Sequence, residues 1–136
     1  VTIPKEEYDM LKNNITYSQD EQVIGIWENG KKIYRRIIKS TVPECTTDGT
    51  AVNNDIDVSA YNIDFVTGLK TIMSGDVAIM QLPAYSLNNA KAITQVWYKP
   101  NTSVIRVSNA AKSYNGRALY ITLEYTKTTD TVPTEN

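Results

Sequence analysis

The chain has 136 residues, a formal net charge of -1 and a single cysteine. It is long enough for one domain with a hydrophobic core, and without an excess of positive charge it lacks the electrostatic attraction that dominates nucleic-acid binding. Cys45 alone excludes an internal disulfide, and no apolar run approaches the roughly 20 residues of a membrane-spanning helix, so we expect neither a disulfide-built scaffold nor membrane insertion.

The first 16 residues predict a short helix. Tyr8, Leu11 and Ile15 recur at a spacing of three and four, Pro4 stands where the first turn would be, and acidic residues follow it. The chain does not begin with methionine, so we expect it to be a piece of a longer protein. The helix then either continues an upstream helix or packs on the body and covers one edge of a sheet.

Residues 17–34 contain the first predicted hairpin. The runs at residues 23–27 and 33–38 are rich in β-branched and aromatic residues, and Asn29-Gly30 lies between them. This dipeptide predicts a type I′ turn, which needs a positive φ at both central residues. Trp27 ends the first strand directly before the turn, and we expect it to be a core or subunit-interface residue.

Two further hairpins follow in the middle of the chain. Residues 69–73 and 77–82 are apolar and flank Ser-Gly-Asp, which predicts a tight turn. Residues 93–99 and 103–108 flank a loop that begins with Pro-Asn. The polar stretch between residues 40 and 58 predicts loops or short edge strands.

The most regular alternation lies at residues 117–126. It predicts a strand with one face in the core and the other face outward. The inward side chains of this strand are Leu119, Ile121, Leu123 and Tyr125, and the outward ones are Tyr120, Thr122, Glu124 and Thr126.

Some eight short strands without helices between them predict an all-β fold, an antiparallel β-sandwich or jelly roll over residues 17–126. The threonine-rich residues 127–136 predict a disordered tail.

Two polar pairs are candidates for ligand contacts. Arg35-Arg36 could bind a carboxylate or phosphate, although such a pair more often lies at a solvated or interface edge. Asp55 and Asp57 offer the oxygen ligands that calcium prefers, but the EF-hand spacing is absent and a solvated loop fits better.

The absence of histidine from the sequence excludes most catalytic chemistry. Ser-His-Asp and Cys-His triads need histidine, zinc sites need a ligand cluster, and no phosphate-binding or dinucleotide-binding glycine motif occurs. We therefore predict no cofactor and no metal. Glycoside hydrolysis needs only two carboxylates, so a glycoside hydrolase stays the one enzyme alternative, and a non-enzymatic role is favoured.

Two segments carry a family resemblance. They read YSQDEQVIGIWENGKKIY at residues 17–34 and ALYITLEYTKTTD at residues 118–130. Together they resemble C-terminal domains of tail and minor structural proteins of phages and prophages. The resemblance implies a receptor-binding domain at the tip of a tail fibre, made in the bacterial cytoplasm and carried on the virion tail. It further implies a homotrimer on an upstream stalk, with Tyr8, Leu11 and Ile15 near the three-fold axis, and a bacterial cell-surface saccharide as ligand.

Aromatic residues between the two segments are the candidate ligand-binding residues. Nine tyrosines against one phenylalanine favour rings with an apolar body and a wet tip. Trp97 and Tyr98 are consecutive on a predicted strand, so at most one of them can face the core. With Tyr85 and Tyr114 from nearby loops they predict a glycan site, whereas subunit contacts explain the same rings if the domain is only a structural trimerisation module of a tail or baseplate.

Overall fold

The computed structural model describes residues 4–6, 17–86 and 89–134, and it consists mainly of strands. Two short 3₁₀ helices, Ser59–Tyr61 and Lys112–Tyr114, accompany the strands. None of the described helices is long and apolar enough to cross a membrane. The strands are β1 (Gln22–Ile26), β2 (Lys32–Thr41), β3 (Val52–Asp57), β4 (Ile63–Met73), β5 (Met80–Gln81), β6 (Ala84–Ser86), β7 (Asn89–Lys99), β8 (Val104–Asn109) and β9 (Ala118–Lys127).

The strands form two sheets in which the pairings are antiparallel. The larger sheet has the order β1-β2-β9-β4-β5 and the smaller sheet the order β3-β8-β7-β6. One cluster of buried side chains draws on both sheets, with Leu119 and Leu123 from β9 and Ile105 and Val107 from β8. The all-β class predicted from the sequence is confirmed.

β9 is the central strand of the larger sheet, between β2 and β4. The predicted alternation is confirmed for its inward face, because Leu119, Ile121, Leu123 and Tyr125 are all 0% exposed. A slip of one residue would turn these four side chains outward, so their burial fixes the register of β9 against both neighbours. The intervening side chains of Tyr120, Thr122 and Glu124 lie on the opposite face of the sheet, which we call the outer face. Thr126 was also predicted to be outward, but it is 0% exposed.

The first predicted hairpin forms, but its turn is of another type. β1 pairs with β2, and the Gly30 amide donates a hydrogen bond to the Trp27 carbonyl at 2.9 Å. Gly30 has a φ of 87°, whereas Asn29 does not adopt a positive φ, so the type I′ turn is wrong. The Asn29 side chain instead accepts a hydrogen bond from the Lys31 amide at 3.0 Å, which stabilises a longer loop with glycine at its left-handed position.

The other two predicted hairpins also form, with longer loops than the sequence predicts. β4 pairs with β5 across residues 74–79 rather than across a tight turn. Val77 and Ile79, predicted to lie on the strand, are 101% and 73% exposed in this loop. β7 pairs with β8 across residues 100–103, where Ser103 has a φ of 54° and ends the loop instead of starting the strand.

The structure describes little of the N-terminal segment and most of the C-terminal segment. The helix predicted over residues 1–16 falls outside the described residues apart from residues 4–6, of which residues 5 and 6 have helical backbone, so the helix stays a prediction. At the other end, the Thr128 amide donates to the Asn62 carbonyl at 2.8 Å, and the Tyr34 hydroxyl donates to Asp130 at 2.5 Å. The disorder predicted for residues 127–136 stays a prediction, and these contacts hold the beginning of that segment against the body.

Trp27 is half-buried at the end of β1. Its ring packs against Phe65, with ring centroids 5.8 Å apart, and Phe65 is itself 54% exposed. Trp27 does not belong to the buried cluster, so the predicted core position is wrong. The physical reason is that β1 is an edge strand, and only one neighbouring strand covers it. An interface role for Trp27 stays a prediction.

A charged group lies beside the buried tyrosines of the larger sheet. The Glu21 carboxylate accepts hydrogen bonds from the Tyr125 hydroxyl and the Lys127 ammonium, and Arg36 Nη2 lies 3.4 Å from Glu21 Oε2. Burial alone would raise the pKa of Glu21, but the hydrogen bonds from Lys127 and Tyr125 outweigh it, so the pKa of Glu21 is lowered. Glu21 is therefore held in its charged form by the fold.

Acid should destabilise the protein through Glu21. A carboxylate with a lower pKa in the folded than in the unfolded state adds stability above its ordinary pKa of 4.5, and this stability is lost as the pH falls through the folded value. Glu21→Gln should flatten the fall of melting temperature below about pH 5. Glu28→Gln, which alters an exposed carboxylate in the β1–β2 loop, is the matched control and should keep the wild-type curve. An unchanged acid limb in Glu21→Gln would contradict the argument.

Candidate ligand-binding groove

The structure does not bring the four predicted aromatic residues onto one surface. Tyr85 is 60% exposed and pairs with Ile93, which puts it on the same face of the smaller sheet as Trp97, about 13 Å away along β7. Tyr98 packs against the buried cluster, as expected for one of the two consecutive rings. Tyr114 is buried, and its hydroxyl donates to the Tyr85 carbonyl at 3.4 Å. A glycan site at these residues stays a prediction.

An open groove of about 670 Å³ lies instead on the outer face of the larger sheet. Its floor is built by outward side chains of the three central strands β2, β9 and β4, and residues 17–19 form one wall. A concave space of this size with mixed apolar and polar walls is typical of a small-molecule site. The lining residues used below are Tyr17, Ser18, Gln19, Ile37, Lys39, Gly68, Lys70, Ile72, Tyr120, Thr122 and Glu124.

The strand register arranges the floor in three rows, each with one residue from β2, β9 and β4. Successive rows are about 7 Å apart, because side chains on one face of a strand recur every second residue. The rows are Lys39-Tyr120-Ile72, Ile37-Thr122-Lys70 and Arg35-Glu124-Gly68. Arg35 is buried and belongs to the third row by register without lining the groove itself. The first row presents an aromatic ring, the second a hydroxyl and the third a carboxylate.

The wall at residues 17–19 is fastened to β2. The Ser18 carbonyl accepts a hydrogen bond from the Ile37 amide at 2.8 Å. The guanidinium of Arg35 lies over the Tyr17 ring, 4.0 Å from its centroid, and Tyr17 remains 62% exposed. Cation–π contact therefore positions the Tyr17 ring at the groove without burying it.

Glu124 lies beside Gly68 of β4, where the absence of a side chain leaves space. The register shifts between Val66 and Gly68, and a Cβ atom added at Gly68 would lie 3.0 Å from Glu124 Oε2. Glycine thus gives the carboxylate room to lie against β4. No ion pair in the described part of the chain involves Glu124, although Arg35 is its neighbour in the same row. The carboxylate keeps its capacity to accept hydrogen bonds from a ligand.

Asp55 and Asp57, the carboxylates considered for calcium, lie on strand β3 and not in the solvated loop predicted for them, and both make internal contacts. Arg106 donates two hydrogen bonds to Asp55, at 2.8 and 2.9 Å, and these lower the pKa of Asp55. Asp57 accepts a hydrogen bond from the Ser59 amide at 2.9 Å. Among residues 4–6, 17–86 and 89–134 no group of three or more His, Cys, Asp and Glu side chains could hold a metal ion.

Comparison with protein families, curated proteins and solved structures gives no match. The two resembling segments fall on β1, the beginning of β2 and β9, which are neighbours in the larger sheet. They therefore contribute to the same sheet that carries the groove. The function is argued below from the groove itself.

Sequence reasoning missed the groove as a site. The alternation identified Tyr120, Thr122 and Glu124 as outward side chains of one strand, but it could not identify their neighbours on β2 and β4. Those neighbours are far from β9 in sequence, and local patterns carry no information on such pairing. The sequence did contain one signal for this site. The outward side of the alternating strand combines an aromatic ring, a hydroxyl and a carboxylate.

Proposed function

We propose that this chain is a non-catalytic carbohydrate-binding domain whose ligand lies in the groove of the larger sheet. The observation that carries the proposal is the ring of Tyr120, which is 43% exposed on the central strand β9 and lines the open groove. Sugars present flat patches of C–H groups, and these pack favourably on an exposed aromatic face. A rigid strand holds such a ring in place without further ordering cost on binding.

The polar groups around Tyr120 complement sugar hydroxyls. Thr122 can donate and accept a hydrogen bond, the Glu124 carboxylate accepts, and the Lys70 ammonium donates. Each lines the groove. A sugar hydroxyl both donates and accepts, so this mixture supports recognition of a saccharide more than recognition of a purely apolar ligand.

The composition of the groove supports binding without catalysis. Hydrolysis of a glycoside requires two carboxylates about 5 to 9.5 Å apart. Glu124 is the one carboxylate among the residues that line the groove in the described part of the chain. The sequence has no histidine that could replace the second group as an acid or base.

The biological setting we propose is the tip of a phage tail fibre or of a minor structural protein, on a virion made in the bacterial cytoplasm. The resemblance of residues 17–34 and 118–130 supports it. A β-sandwich is the head-domain architecture we propose, because both sheets contribute to one buried cluster. A groove open to solvent suits a long bacterial surface polysaccharide, because the polysaccharide can extend beyond the site.

A glycan array tests this proposal. The domain should retain a subset of bacterial surface saccharides, and incubation with them should release no reducing ends. Release of reducing ends would assign it to the glycoside hydrolases instead. Failure to retain any saccharide would overturn the carbohydrate-binding proposal.

A structural trimerisation module is the second candidate. Val23 and Ile26 on the edge strand β1 are 51% and 64% exposed, and Phe65 near Trp27 is 54% exposed, so this end of the larger sheet presents apolar side chains to solvent. Contact between copies would bury them. Light scattering at tens of micromolar should report a trimer if this surface assembles. A monomer would contradict assembly and leave carbohydrate binding untouched.

A further inference from the structure

Two lysines on opposite sides of the groove form no ion pair with any of the described residues. Lys39 on β2 and Lys70 on β4 are both exposed and line the groove. Neither makes an ion pair or side-chain hydrogen bond with another residue in the part of the chain that the structure describes. Exposed lysines are common, but two lysines that line one concave site from opposite sides of β9, and that form no ion pair among the described residues, are a specific arrangement.

The register determines how the two lysines stand. Lys39 shares a row with Tyr120 and Lys70 shares the next row with Thr122, so the pair lies diagonally across β9. β2 and β4 are two strand spacings apart, and the two residues are offset by one row along the strands. Their Cα atoms are therefore about 12 Å apart. Each ammonium stands on a flexible four-carbon stem, so both can approach a group held above β9.

The charge of this face differs from that of the whole chain. The chain has a net charge of -1, whereas the three rows of the groove carry Arg35, Lys39 and Lys70 against the single carboxylate of Glu124. Arg35 is nine-tenths buried, and its Nη2 atom has no hydrogen-bond partner among the described residues. No ion pair among the described residues neutralises the charge of Arg35, so it adds to the attraction for an anion at this face.

We propose that the groove selects acidic saccharides, in which the sugar ring lies against Tyr120 and an anionic substituent lies between Lys39 and Lys70. This inference rests on the proposed carbohydrate-binding function and specifies its ligand class. The substituent is a carboxylate or a phosphate, since ammonium groups bind both as point charges. Glu124 is in the row beyond Thr122, where it accepts hydrogen bonds from sugar hydroxyls and disfavours a second anion.

Three probes of similar length test the inference by calorimetry: an oligogalacturonate, a phosphorylated maltooligosaccharide and a neutral maltooligosaccharide. At least one acidic probe should bind more tightly than the neutral one, and the binding should weaken as salt increases. Lys39→Gln and Lys70→Gln should each weaken acidic binding about tenfold, because each removes one charged hydrogen bond. Lys112→Gln, which removes an exposed charge from a 3₁₀ helix away from the groove, should leave binding unchanged.

The outcomes separate this inference from the proposed function. Equal binding of neutral and acidic probes, unaffected by either lysine substitution, would overturn the acidic preference and leave carbohydrate binding in place. Binding of none of the probes and of no saccharide on the array would overturn both. Preference for the galacturonate or for the phosphorylated maltooligosaccharide identifies the substituent as carboxylate or phosphate. Melting curves of the two lysine variants should match the wild type, since both side chains are exposed.

Discussion

Replacing Asn109 by alanine should destabilise the protein by about 3 kcal/mol, because it leaves several buried groups without hydrogen-bond partners. Asn109 ends β8 and is 0% exposed. Its side chain joins β7 to two loops that no strand pairing holds. The partners are the Thr94 hydroxyl at 2.6 Å, the Pro43 carbonyl at 2.8 Å, the Asn115 side chain at 2.9 Å and the Ala111 amide at 3.0 Å.

Urea unfolding of the variant checks this expectation. The unfolding midpoint should fall with little change in the dependence on denaturant, since the same surface is exposed on unfolding. Asn53→Ala is the matched control, because Asn53 is exposed on the edge strand β3, and it should change stability by no more than about 0.5 kcal/mol. A loss below about 1 kcal/mol in the Asn109 variant would show that water replaces the side chain in this network.

Replacing Tyr120 by alanine should weaken saccharide binding about 30-fold, which corresponds to about 2 kcal/mol for an aromatic side chain that carries much of the contact with a ligand. The melting temperature should change little, since the side chain is 43% exposed and lies on the outer face of β9. Tyr120→Phe should keep most of the affinity because it preserves the ring. Isothermal titration with a saccharide identified on the array gives the comparison.

Tyr85→Ala provides the contrasting variant for this experiment. Tyr85 is an exposed tyrosine of the smaller sheet and was predicted from the sequence as a ligand-binding residue. If the groove is the site, Tyr85→Ala should bind as the wild type does. Loss of binding in Tyr85→Ala together with full binding in Tyr120→Ala would move the site to the smaller sheet and contradict the groove.

Local sequence patterns predicted the elements of the fold better than their ends. The alternation on β9 was correct for its inward residues because one face of a central strand has to be buried. The turn after Trp27 was assigned to the wrong type, since Asn29 supports either a left-handed conformation or a side-chain hydrogen bond to the backbone, and the sequence does not decide between them. The apolar residues around Val77 predict a strand, but the structure has a loop there, because apolar residues give the same sequence pattern whether or not other residues cover them.

The candidate site was less accessible to sequence reasoning. Selecting residues by type favoured Tyr98 and Tyr114, yet Tyr98 packs against the buried cluster and Tyr114 is itself buried. The groove depends on β2 and β4 lying on either side of β9, a long-range pairing that composition does not reveal. That Lys39 lies beside Tyr120, in particular, follows only from the register of β2 against β9.

The most direct test of the central claim, that the groove of the larger sheet binds a saccharide, is an NMR titration of the isotope-labelled domain. We predict that amide shifts concentrate on the rows of the groove, around Tyr120, Thr122 and Lys70, and that they saturate at the affinity measured by calorimetry. Shifts confined to the smaller sheet around Tyr85 and Trp97, with the signals of the groove unmoved, would contradict the account.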